Sequence, residues 1–207
     1  MFSMFSPDSK IMQVLSRIAD LVILNVLYLI TCLPVITIGA ATTALYNVSF
    51  RMLREDAGVV KPYFRALKEN FKEATQLWLL LLFLGVPAWL YFDKFYHMAG
   101  ILRYGYFLFL TILVLTVLVG GFVFPWLSRF SNNVPTTVRN AMLLCIGYLP
   151  RALVILMVNV LPFGLWALNY DLFLKVSFLW ISLYFAAGAY FNANLLRKVF
   201  APYIPEE

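Results

Sequence analysis

The chain has 207 residues, of which 63% are hydrophobic and 13% charged, with a formal net charge of +6. A soluble domain carries nearer a quarter charged residues and could not hold this much apolar surface inside. The basic excess falls between long uncharged blocks, where a membrane accounts for it better than nucleic acid does, and no exposed basic domain is evident.

The uncharged blocks cover residues 21–50, 74–92, 104–128, 152–170 and 176–196. Roughly 20 apolar residues cross about 30 Å of hydrocarbon. These blocks are too long and irregular for barrel strands of roughly ten alternating residues. A helix pairs its backbone groups within its own segment, which hydrocarbon requires. The expected fold is therefore all-α: a polytopic helical membrane protein with about five transmembrane helices plus short interfacial helices. Residues 1–207 form a single integral membrane domain.

Ser6-Pro7-Asp8-Ser9 has the chemistry of a helix N-terminus. Ile11, Val14, Leu15 and Ile18 then recur at helical spacing, giving an interfacial N-terminal helix over 1–17 that runs into span one, 18–36. A cleaved leader would have a short apolar core and a small-residue cleavage site. This block carries Pro34 and Gly39 instead and is expected to stay in the mature protein.

A straight helix over 21–50 would be about 45 Å long, too long for one untilted span. Pro34 and Gly39 offer the break. Beyond it, residues 40–54 are predicted to form a second short helix, interfacial or partly re-entrant, with a full extra crossing as the competing count. Residues 40–72 thus hold the break and a basic amphipathic connection. Within it Asp56-Ala57-Gly58 reads as a turn, and Lys61, Arg65, Lys68 and Lys72 gather on one helical face. That face suits an anionic cytoplasmic leaflet or a cytoplasmic partner.

Span two is predicted over 76–92, with Pro87 bending it, span three over 104–126 and span five over 173–194. Span four has three readings. Either it covers 140–162 with Arg151 deep inside, the boundary that Pro162 and Gly164 favour, or it begins near Arg151 and ends near Tyr170, or the whole is one long tilted helix bent at Pro150. Five crossings place Arg51 to Lys72, Arg129, Arg139, Arg197 and Lys198 on one side, ten basic residues against five. That side should be cytoplasmic, putting the N-terminus outside and the C-terminus inside. One more crossing after Gly39 moves the N-terminus inside.

Polar groups within apolar blocks are the first candidates for function. Arg151, Asn159, Asn25, Thr37, Thr42, Thr43 and Tyr46 are the candidate polar or ligand-binding residues. A sugar hydroxyl, carboxylate or phosphate could pair with Arg151, and a sugar-like ligand could meet the Thr42, Thr43 and Tyr46 cluster. The competing roles are an interfacial arginine, helix-to-helix hydrogen bonds and helix caps. Lys61, Arg65, Lys68, Lys72, Arg129 and Arg139 are the candidate partner- or lipid-binding residues. With one histidine and two cysteines, no metal-ligand pattern, cofactor motif or catalytic constellation is found, so neither an enzyme nor a cofactor is expected. Cys32 and Cys145 read as free thiols.

Leu33-Pro34-Val35-Ile36-Thr37-Ile38-Gly39-Ala40-Ala41-Thr42-Thr43-Ala44-Leu45-Tyr46 closely resembles the YesL-type family of bacterial membrane proteins. Arg51-Met52-Leu53-Arg54-Glu55-Asp56 and the run from Tyr63 to Thr75 are similar to its next signature. Phe124-Pro125-Trp126-Leu127-Ser128-Arg129-Phe130 and Arg139-Asn140-Ala141 also look familial. The resemblance implies a multi-pass protein of the bacterial cell membrane, often encoded near systems for carbohydrate uptake. It therefore implies an accessory or scaffold role beside carbohydrate transporter subunits. The alternative is a small permease for an oligosaccharide or related polar solute. The family supplies no catalytic mechanism and no ligand site, and the oligomeric state stays open.

Overall fold

The computed structural model describes residues 10–54, 58–130 and 132–203. The predicted cap at Ser6 to Ser9 and the Asp56-Ala57 part of the predicted turn lie outside the described residues. Helices account for every regular element among the described residues, and no strand occurs. Four stretches, Ile11–Cys32, Phe71–Tyr96, Arg103–Leu127 and Leu149–Leu168, are long and apolar enough to cross a bilayer. The molecule is thus a polytopic helical membrane protein.

Helix α1, Lys10–Cys32, is continuous, so its described N-terminal turns are the start of span one. It ends before Ile36 because Pro34 disfavours helical backbone at Leu33. Thr37 ties off this end by donating to the carbonyls of Thr31 and Pro34. A short 3-10 turn, Val35–Thr37, leads into α2, Ile38–Met52. Pro34 is therefore the break, and Gly39 lies inside the next helix.

Helix α2 is enclosed by other helices. Eleven of its 15 residues are buried, packed among α1, α3 (Val60–Glu69), α4 (Phe71–Tyr96), α5 (Tyr106–Leu127) and α10 (Phe185–Phe200). Its small residues permit this close packing. A Cβ on Gly39 would lie 2.6 Å from the Trp78 Cβ and closer still to the Ala74 carbonyl oxygen. Its hydroxyls turn back on their own helix: Thr42, Thr43 and Ser49 donate to the carbonyls of Ile38, Gly39 and Leu45 at 2.7–2.9 Å. Burial then leaves them no unmet bond.

Helices α4 and α5 form an antiparallel hairpin. Gly120 faces Leu81, Gly85 faces Thr116, and the Tyr91–Phe109 and Phe92–Tyr106 ring pairs pack near its tip. Pro87 lies within an uninterrupted α4. Helix α2 lies across the hairpin's base, with Gly39 against Ala74 and Asn47 donating to the Ser128 carbonyl at 2.9 Å. The α1–α2 turn also stays low on α4, where Trp78 Nε1 donates to the Val35 carbonyl at 2.8 Å. Arg17 closes the open end of this pair by donating to the Met52 carbonyl. Phe50 meets Phe200 and Arg129 nearby, with centroid separations of 5.8 and 5.3 Å. The start of α1 and the ends of α2, α5 and α10 therefore share one end of the molecule, the base.

The second reading of span four matches the fold. Helix α6, Val134–Gly147, is capped by Asn133, whose side chain accepts from the Thr136 amide at 3.2 Å. The chain breaks at Tyr148, and α7 covers Leu149–Leu168. Arg151 falls in the first turn of α7, its guanidinium 5.2 Å from the Tyr148 ring centre, and is not mid-span. After α8, Tyr170–Lys175, the fifth predicted span starts later than expected and is not one regular helix. It runs as α9 (Ser177–Leu179), a π turn (Trp180–Tyr184) and α10. Asn25 holds the π turn, donating to the Trp180 and Ile181 carbonyls at 3.3 and 2.7 Å and accepting from the Ala186 amide at 2.9 Å.

Candidate functional site

A cavity of about 490 Å³ lies between α1, α2, α4, α5, α7 and the π turn with α10. Tyr28, Thr42 and Tyr46 reach it from α1 and α2, Trp78 and Trp89 from α4, Thr116 from α5, Asn159 from α7 and Tyr184 from the π turn. Glycines set the wall spacing. A Cβ on Gly121 would come within 3.1 Å of the Ile155 Cγ2, and one on Gly188 within 3.2 Å of the Val158 Cγ1.

No charged residue lines the cavity, and most of its polar side chains bond within the protein. Thr116 donates to the Ile112 carbonyl at 2.8 Å, and Tyr184 to the Val158 carbonyl at 2.6 Å. Trp78 and Thr42 are engaged as described, and the Tyr28 hydroxyl lies 3.5 Å from the Thr42 hydroxyl. Around Tyr46, Asn192 donates both to the tyrosine oxygen at 3.2 Å and to Asn159 Oδ1 at 3.3 Å. The arrangement presents aromatic and aliphatic walls with few free donors or acceptors.

The candidates read from sequence separate into three groups. Thr42, Tyr46 and Asn159 come together at the cavity. Asn25, Thr37 and Thr43 hold backbone in place, at the π turn, the α1 end and within α2. Arg151 is not a cavity residue. Among the basic candidates, Lys61, Arg65, Lys68, Lys72 and Arg139 are exposed, while Arg129 is half-buried. Arg65 pairs with Glu69 at 2.8 Å, which raises its pKa. Burial, and then the neighbouring Arg54 charge, lowers that of Arg129.

Sequence reasoning missed Tyr28, Trp78, Trp89, Thr116, Tyr184 and Asn192. Tyr184, Gly188 and Asn192 recur every four residues, which was a readable one-face signal. Among the described residues no three His, Cys, Asp or Glu side chains gather as metal ligands. Both cysteines are free thiols.

Residues 21–93 match the model of a family described as "Protein of unknown function, DUF624". The match covers most of α1, all of α2 and α3 and most of α4, and so includes the Pro34 break and the basic face. No curated protein and no solved structure matches the chain.

Proposed function

We propose that the chain is a non-catalytic accessory or scaffold protein of the bacterial cell membrane, of the YesL type, that serves carbohydrate uptake by holding a transporter partner. The exposed basic surface of α3 and the first turn of α4 carries the reading. Asn70 splits the expected single helical face, leaving Lys61, Arg65 and Lys68 on α3 and Lys72 on α4. All four are exposed, and of these four only Arg65 pairs with an acidic residue among the described residues. Tyr63 and Ala66 root the opposite face of the helix in the core, and Tyr63 hydrogen-bonds Thr31. A cationic surface fixed this firmly suits docking to an acidic cytoplasmic surface.

Charge distribution supports a cytoplasmic base. Of the 16 basic residues, only Lys94, Arg103 and Lys175 belong to the far end. Under the positive-inside rule both chain ends are then cytoplasmic. The return of α2 beside α1 supports the alternative count, in which one more crossing after Gly39 puts the N-terminus inside.

The cavity weighs against the permease alternative. A sugar brings several hydroxyls, each costing roughly 1–3 kcal/mol if buried without a partner, and most of the cavity's polar side chains are already bonded internally. The test is gentle affinity purification from native membranes. Transporter subunits should co-purify, and reversing charge at Lys68→Glu or Arg139→Glu should remove them while the protein stays in the membrane. Stable expression with no partner recovered counts against the scaffold reading. Oligosaccharide flux through liposomes holding the purified protein would favour the permease.

A further inference from the structure

We propose that the intramembrane cavity is a lipid site that takes one hydrocarbon chain of a membrane lipid from the leaflet opposite the base. The inference rests on the membrane fold and not on the scaffold reading, so either can fail alone.

Three observations carry it. The cavity walls are aromatic and aliphatic, and no charge lines them. Thr42, Trp78, Thr116, Tyr184 and Asn159, which reach it, all bond within the protein, so an occupant gains from contact and from leaving those bonds intact. Its rim holds Trp89 and Phe163, which are 58% and 69% exposed on α4 and α7. Both present aromatic rings and neither carries a charge, which suits a lateral entrance from hydrocarbon.

The dimensions agree. From Trp78 to Trp89 the cavity follows α4 for about 16 Å at 1.5 Å per residue. One leaflet contributes about 15 Å of a bilayer's hydrocarbon core. A chain entering at Trp89 and Phe163 would therefore end near Trp78 and Tyr46. A sugar of that length would place hydroxyls against walls that offer few bonds, whereas a hydrocarbon chain loses none.

Tryptophan quenching tests this on the full chain in detergent micelles. Two variants each keep a single tryptophan, the others being changed to Phe. Trp78 reports the cavity, and Trp166, 57% exposed on α7 and not a cavity residue, reports the outer lipid contact. The probe is phosphatidylglycerol with brominated acyl chains, against the unbrominated lipid. Trp78 emission should fall at least twofold and saturate near one lipid per protein. Trp166 quenching should rise without saturating.

Gly85→Phe should fill the cavity, since a Cβ there meets only the Thr116 methyl at 3.7 Å. It should more than halve the Trp78 quenching and leave Trp166 unchanged. Val117→Phe is the second blocking variant, with folding checked by size exclusion. If neither folds, excess unbrominated lipid should restore Trp78 emission. The proposal is overturned if Trp78 follows the Trp166 curve, if folded blocking variants change nothing, or if excess lipid restores nothing. It is equally overturned if maltose abolishes Trp78 quenching, which would mark a polar-solute site.

Discussion

Two residues set much of the helix packing, each for a different reason. Asn25 is fully buried and meets three backbone groups at the π turn, where the shift in hydrogen-bond register leaves groups unmatched. In membrane proteins such bonds average about 0.6 kcal/mol each. Asn25→Leu should therefore cost about 2 kcal/mol, read as a lower melting temperature in detergent, and an unchanged value would sink this role. Gly39 acts through absence of a side chain. Gly39→Ala pushes a methyl into the Ala74 carbonyl and the Trp78 Cβ, so α2 must move away from α4. Overpacking of this kind costs about 1–3 kcal/mol. Gly58→Ala meets nothing within 4 Å and is the control, expected to stay within about 0.5 kcal/mol of the parent. Arg151, singled out by its apolar surroundings, belongs to a helix start. Arg151→Ala should cost only the ring contact, about 0.5–1 kcal/mol, and leave Trp78 quenching within twofold.

At the level of elements, the sequence pattern was readable where the cause was local. Length and lack of charge reveal α4, α5 and α7, and proline at 34 reveals the end of α1. Basic residues spaced by three and four reveal α3. The burial of α2 was not readable that way. Its glycine, alanines, threonines and serine are the composition of a helix edge or an interface. Only the hydroxyls' return to their own carbonyls and the neighbours drawn close by Gly39 make it a core helix. The π turn was hidden too, because its partner Asn25 lies over 150 residues earlier. The same limit applies to the cavity. Thr42 and Tyr46 share a local face and were found together, while Trp78, Thr116 and Tyr184 join them only through tertiary packing.

The whole molecule has one end rich in basic residues and one end with only three, Lys94, Arg103 and Lys175, and its sidedness can be measured. With Cys32 and Cys145 replaced by serine, single cysteines at Lys10, Lys68 and Lys198 should react with a membrane-impermeant thiol reagent only after the cells are opened. Cysteines at Lys94 and Lys175 should react in intact cells. Labelling of the Lys10 position from outside would restore the odd number of crossings and contradict the return of α2.

The central place of α2 also governs when it can settle during synthesis. Its neighbours extend from α1 to α10, and Phe50 touches Phe200 almost at the end of the described chain. The helix leaves the ribosome early, yet one of its five neighbours, α10, does not exist until that helix is inserted. Until then the face of α2 that carries Tyr46 and Phe50 lacks its Asn192 and Phe200 partners. A chain shortened before Ser177 should leave the α1–α2 pair loosely held and quickly degraded by membrane proteases, even though every residue of that pair is present.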